Sequence, residues 1–201
     1  MQTLFDAWSD FRFIPAADFA DDARAVPDHE GLYLLCFSES SGLPARAREV
    51  AGRHSEQPEE RSVVYIGCSN SNIRARLDCH LLNTAWVSCF RKTTGLLMRD
   101  ALGLQPRSGA DGGRNWAFGY EGEAILTDWM LSDALIGFRI SDDPLGEERE
   151  LIQRVDPILN IEGRRRTAEG RRLISLLQTA RAPRIKRRPN RVGLRSLSGE
   201  C

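Results

Sequence analysis

No uninterrupted apolar run in this chain of 201 residues approaches the roughly 20 residues needed to span a bilayer. The opening stretch MQTLFDAWSDFRF lacks the basic, apolar, small-residue succession of an export signal. A cytoplasmic protein with no membrane partner is therefore expected. The chain also lacks any C-x-x-C spacing. Its five cysteines are Cys36, Cys68, Cys79, Cys89 and Cys201. The best zinc candidates, Cys68, Cys79, His80 and Cys89, match no usual knuckle, so reduced and mostly buried thiols are expected. No internal repeat is visible.

Net charge is also missing: 28 Lys and Arg balance 28 Asp and Glu. The average hides an asymmetry. Residues 1–163 carry 16 basic against 26 acidic groups, whereas residues 164–195 carry 12 basic groups against the single acid Glu169. That pattern reads as an acidic body with a basic tail. The tail has no aromatic residue, which favours phosphate contacts over base stacking.

What is present begins at Gly31. Leu32–Phe37 is a short apolar and aromatic run, read as a buried strand, and Ser62–Ile66 is a second, stopped by Gly67. The polar stretch 38–61 between them is long for a hairpin loop. It reads as an insertion, with a short helix near 45–53. Ser69, Asn70, Ser71 and Asn72 offer N-caps for a helix over 72–83. A second helical stretch covers 92–102. Residues 104–122 read as loop, Ala124–Leu131 as helix, and Leu135–Ile140 as strand. Asp143-Pro144 opens a further helix that ends before Pro157. Residues 171–180 form a short amphipathic element.

Two of these helices carry polar groups where burial would cost stability. Leu151, Ile152 and Val155 define an apolar stripe, and stepping back one turn places Glu148 on it. A carboxylate there needs a partner, although the first turn of a helix also welcomes an acid. On 72–83, Arg76 and His80 fall on or beside the Ile73, Leu77 and Leu81 stripe, one turn apart. A lone histidine on such a face is more often a hydrogen-bonded core residue than a catalyst, and an arginine there can snorkel or pair. Together the three groups could bind a cation and a phosphate. Tyr33 and Tyr65, each on a strand, read on their own as packing residues.

The combination has a pattern. Gly31-Leu32-Tyr33, then Tyr65-Ile66-Gly67, then Asn72-Ile73-Arg74-Ala75-Arg76-Leu77 with His80, resembles the GIY-YIG nuclease family. Glu148-Arg149-Glu150-Leu151-Ile152 and Pro157-Ile158-Leu159-Asn160 resemble its glutamate helix and closing Pro-x-x-Asn. Phe90-Arg91-Lys92 and the segment 126–130 are similar to a bacterial branch. The resemblance spans about residues 31–160. It implies an α/β (α+β) fold with a small antiparallel three-stranded sheet flanked by helices. It also implies hydrolysis of DNA phosphodiesters by a metal-dependent endonuclease with one divalent cation, Mg²⁺ or Mn²⁺. By matching position Glu148 holds the metal, and Arg76 contacts the scissile phosphate. Tyr65 and Tyr33 face the attacking water, with Tyr65 favoured as general base. His80 assists by hydrogen bonding, Gly31 and Gly67 shape the site, and Asn160 anchors the glutamate helix.

Four departures stand out. Leu32 replaces isoleucine. The Gly67-to-Arg76 spacing is one residue longer than in the excision-repair members. Cys68 stands where a lysine is common, so that Arg74 becomes a candidate for the missing phosphate contact. The gap between the tyrosines is 31 residues.

The organisation expected is an N-terminal extension over 1–30, a nuclease domain over 31–162 with its insertion at 38–61, and a basic C-terminal helix and tail over 163–201. Arg184, Lys186, Arg187 and Arg188 are the tail's candidate DNA contacts. The competing reading is a catalytically inactive DNA-binding or regulatory protein on the same fold. The oligomeric state is open.

Overall fold

A computed structural model of the protein describes residues 8–51, 60–108, 116–161 and 168–179. In chain order its elements are β1 (Arg12–Pro15), α1 (Ala16–Asp21), β2 (Gly31–Ser38), α2 (Leu43–Ala51), β3 (Arg61–Ser69), α3 (Ile73–Leu81), α4 (Cys89–Leu97) and α5 (Arg99–Leu102). There follow β4 (Arg107–Ser108), β5 (Trp116–Ala117), α6 (Gly119–Asp133), β6 (Leu135–Ile140), α7 (Pro144–Val155) and α8 (Ala168–Thr179). Among the described residues, no helix is long and apolar enough to cross a membrane.

One antiparallel sheet, ordered β1-β6-β2-β3, forms the centre. It has four strands where three were expected. The extra strand, β1, comes from the segment read as an extension. It has only four residues and lies at the edge, too short to show a period of two. β2 is buried along its whole length, so the sheet is covered on both faces. Tyr33, Leu35 and Phe37 face the larger cluster with α2, α3, α4, α6 and α8. Leu32, Leu34, Cys36 and Ile66 face a smaller cluster with Trp8, Phe11 and Leu151. Alternation along the strand separates the two sets.

The remaining differences have local causes. β3 runs through Gly67 to Ser69, because Leu32 and Gly31 continue the ladder opposite Cys68 and Ser69. The expected helix at 92–102 is two helices, α4 and α5, and α4 starts three residues earlier, capped by Ser88. The expected loop at 104–122 holds a two-stranded ribbon, β4–β5, and the first turn of α6. Gly119 and Gly122 read as loop residues. A Cβ at Gly122 would in fact lie 2.8 Å from that of Phe118, so this glycine permits close packing.

The insertion is built into the core over its described part. Leu43, Ala47 and Ala51 of α2 are buried, and α2 packs against α8. Leu173 of α8 is fully buried, and Arg172 donates to the Ala51 carbonyl at 3.0 Å. The amphipathic element expected at 171–180 is therefore a helix seated on the insertion.

Candidate active site

Register places the two tyrosines. Tyr33 lies opposite Gly67, and Leu35 lies opposite Tyr65, so both rings project from one face as diagonal neighbours. Their centroids are 6.3 Å apart. A Cβ at Gly67 would fall 2.3 Å from the ring and hydroxyl of Tyr33. The glycine of the second motif is thus the space that the tyrosine of the first occupies. At Gly31 a Cβ would lie 2.2 Å from the Arg139 carbonyl oxygen, so this residue is set by the approach of β6. Asn160 braces the same strand: it accepts from the Ile66 N–H at 2.9 Å and donates to the Ile66 carbonyl at 2.7 Å. These bonds tie the segment after α7 to the middle of Tyr65-Ile66-Gly67.

α3 brings the basic groups. Asn72 caps it, accepting from the Ala75 N–H at 2.9 Å, and this sets the phase of the helix. Arg76 lies close enough to Tyr33 and Tyr65 for its charge to favour their anionic forms. One turn on, His80 is buried, with Nε2 2.8 Å from the Tyr33 hydroxyl and Nδ1 2.9 Å from Ser88 Oγ. Phe90 packs against both Tyr65 and His80, with centroids at 5.1 and 5.6 Å.

Glu148 arrives from the other side of the sheet, on α7. Asp143 caps this helix at 3.0 Å to the Gly146 N–H, and Pro144 occupies its first turn. Glu147 is held by Arg139 and by Ser141 Oγ, which fixes the turn that carries its neighbour. Glu148 is half-buried and lies beside Cys68. Its charge is felt at Tyr33, Tyr65 and Cys68, and it in turn feels Arg76. Tyrosines, arginine and glutamate therefore meet around the Gly67 end of β3.

Burial dominates the electrostatics. It drives Tyr33 well above the ordinary phenol value and pushes Tyr65 up to about 12, with Arg76 opposing the shift in each case. His80 is pushed down to about 3 by burial and by Arg76, so its ring is neutral at neutral pH. Burial raises Glu148, against the pull of neighbouring Cys68, Arg149 and Arg76. Cys68 is pushed up to about 12 by burial and by Glu148, so it is a neutral thiol donor.

Ser88, Glu147 and the nearness of Cys68 to Glu148 belong to the site without a resemblance motif to mark them. Ser88 was legible as a cap once α4 is started at Cys89. Arg74 turns towards the N-terminal segment, donating to the Val26 carbonyl at 2.8 Å and lying 4.0 Å from Asp28. Arg184, Lys186, Arg187 and Arg188 lie outside the described residues. Cys36, Cys68, Cys79 and Cys89 are free thiols. Among the described residues no cluster of three or more His, Cys, Asp or Glu could hold a metal ion.

A small antiparallel sheet with helices on both faces and a Tyr, Arg and Glu site at one strand end defines a nuclease-type fold. The model of the GIY-YIG catalytic domain matches residues 31–182, and the chain belongs to that family. The match extends through α8. Comparison with curated proteins returned no match, nor did comparison with solved structures.

Proposed function

We propose that the protein is a metal-dependent DNA endonuclease. The observation that carries this reading is the meeting of Tyr33, Tyr65, Arg76 and Glu148, from two strands and two helices, at one end of β3. Packing alone gives no reason to gather two phenols, a guanidinium and a carboxylate there.

The donor set fits a hard divalent cation of the Mg²⁺ or Mn²⁺ kind. Glu148 offers one half-buried carboxylate, and Mg²⁺ is commonly held by one or two carboxylates plus waters and phosphate oxygens. When bound, such an ion neutralises charge on the phosphate and lowers the pKa of a nearby water. Arg76 is exposed enough to reach a phosphate oxygen, where it stabilises the charge that develops during attack. Tyr65 is the general base, and Tyr33 orients it. The water oxygen bonds to phosphorus, the water proton passes to the Tyr65 oxygen, and the bond from phosphorus to the leaving sugar oxygen breaks. Tyr65 must be phenolate to accept that proton; burial opposes that form and holds Tyr65 up at about 12, while Arg76 favours the phenolate and a bound divalent cation would favour it further. His80, neutral and buried, holds Tyr33 in place.

The basic segment 164–195 supplies phosphate contacts beyond the small core, and Arg184, Lys186, Arg187 and Arg188 are its central group. The test is nicking of supercoiled plasmid with Mg²⁺ or Mn²⁺. Wild type should cut, and Glu148→Ala should not. Equal activity in both, or none in wild type across broad conditions, favours a non-catalytic DNA-binding protein on this fold. In the same assay series, removal of residues 181–201 should weaken DNA binding and flatten its salt dependence, and an unchanged slope would exclude the tail as a phosphate contact.

A further inference from the structure

The turn between α3 and α4 turns two large apolar side chains outward. Trp86 is 37% exposed and Val87 is 54% exposed, while Ala85 and Ser88 on either side are buried. The backbone beneath them is braced. The Ala85 N–H donates to both carboxylate oxygens of Glu123 at 3.1 Å. The Val87 N–H closes onto the Thr84 carbonyl at 3.2 Å, and the Trp86 carbonyl accepts from Lys92 Nζ at 3.4 Å. Where α3 ends, the Leu81 carbonyl accepts from buried Arg91 at 2.7 Å.

This turn stands beside the candidate site. Ser88 Oγ lies 2.9 Å from His80 Nδ1, and His80 Nε2 lies 2.8 Å from the Tyr33 hydroxyl. Phe90 packs on Tyr65 with centroids 5.1 Å apart. Val87 is one peptide unit from Ser88, about 4 Å between Cα atoms, and Trp86 is two units away, about 7 Å. Nucleotides next to a phosphate held at the tyrosines are within reach of both side chains. A single exposed apolar residue calls for no explanation. Here two are adjacent, on a fixed backbone, with a cation on either side: Lys92 at the Trp86 carbonyl and exposed Arg76 on α3. That combination suits nucleic acid, since the cations can meet phosphates while the apolar tip meets base faces.

We propose that Trp86 and Val87 form an apolar wedge that stacks against the bases of DNA beside the phosphate to be cut. The proposal rests on the nuclease reading above and adds a contact surface to it. Because the turn is already ordered, little conformational freedom is lost when bases close on it. Every base has a π-face, so the wedge holds the strand over Tyr65 without reading its sequence.

The test measures binding of the full chain to a labelled DNA duplex by fluorescence anisotropy, without divalent cation and over a series of salt concentrations. Trp86→Ala should weaken binding by about tenfold with the salt slope unchanged, because no phosphate contact is lost. Trp86→Phe, which keeps a ring, should recover most of the affinity. Wild-type affinity in Trp86→Ala overturns the proposal, as does a loss that Trp86→Phe leaves in place or a slope that flattens with the affinity. A second measurement holds even where Trp86→Ala fails to fold. Tryptophan emission of the wild type should fall as duplex is added, and this quenching should vanish in Trp86→Phe. Wild type that binds duplex without quenching overturns the wedge. If wild type binds and cuts while both readouts fail, the wedge alone is wrong; if wild type does not bind DNA, the nuclease reading fails and takes the wedge with it.

Discussion

Two buried polar clusters grow from the first turn of α4, and they differ in how completely they are closed. In one, Arg91 is fully buried. Its guanidinium donates to Glu123 Oε2 at 3.0 Å, to the Leu81 and Glu123 carbonyls at 2.7 and 2.9 Å, and to Thr127 Oγ1 at 2.7 Å. Glu123 also accepts the Ala85 and Phe118 N–H groups. Its partners are all internal, and nothing in the set faces a substrate. In the other, Ser88, His80, Tyr33 and Tyr65 carry no formal charge at neutral pH, and the chain opens at Arg76 and Glu148. A closed set of full charges holds elements in register. An open set of neutral, proton-bearing groups can change partners when a phosphate arrives. The same four residues, Ser88 to Arg91, anchor both.

The largest expected effect breaks the closed cluster. Glu123→Ala leaves Arg91 buried and unpaired, at about 3–5 kcal/mol, which corresponds to a fall in Tm on the order of 10 °C for a chain of this size. Thermal unfolding followed by circular dichroism measures it. A Tm within a degree or so of wild type would mean that the pair is not structural. The double change Arg91→Met, Glu123→Leu should recover only part of the loss, because the buried Ala85 and Phe118 N–H groups still lack their acceptor.

Gly67→Ala comes next and strikes the open cluster. The new methyl meets the Tyr33 ring, at about 1–3 kcal/mol for overpacking, and cleavage should fall by more than that destabilisation accounts for. Full activity at normal temperature would show that the position of the Tyr33 ring does not matter. A further test concerns pH. His80 has a folded-state pKa depressed to about 3, against about 6.5 in an unfolded chain. The unfolded state therefore binds the extra proton between these values, so the His80 contribution is complete above about pH 6.5 and is lost as pH falls towards 3. Urea midpoints measured from pH 7 to 4 should drop more steeply in wild type than in His80→Gln. Parallel curves would contradict the burial of a neutral imidazole.

The same contrast marks what was readable in the sequence. The open cluster was legible, because its residues sit in short local patterns: a glycine and a tyrosine on each strand, Arg76 and His80 one helical turn apart, and Glu148 on an apolar stripe. Asn160 was expected to anchor the glutamate helix, and its side chain bonds Ile66 of β3. The closed cluster was not legible. Arg91 and Glu123 are 32 positions apart, and each looks like an ordinary surface charge until tertiary packing brings them together. Glu147 carries no local signal either, because its partners Arg139 and Ser141 come from β6 and the turn beyond it. β1 escaped because four edge residues carry no period.

Which cluster does chemistry is tested most directly by Tyr65→Phe. This change removes one oxygen from the open cluster and leaves the ring packed on Phe90. Single-turnover cleavage of a DNA duplex with Mg²⁺, read beside Tm, should show a loss of about 10²–10⁴-fold with Tm nearly unchanged. Cleavage at the wild-type rate would contradict the assignment of Tyr65 as the base.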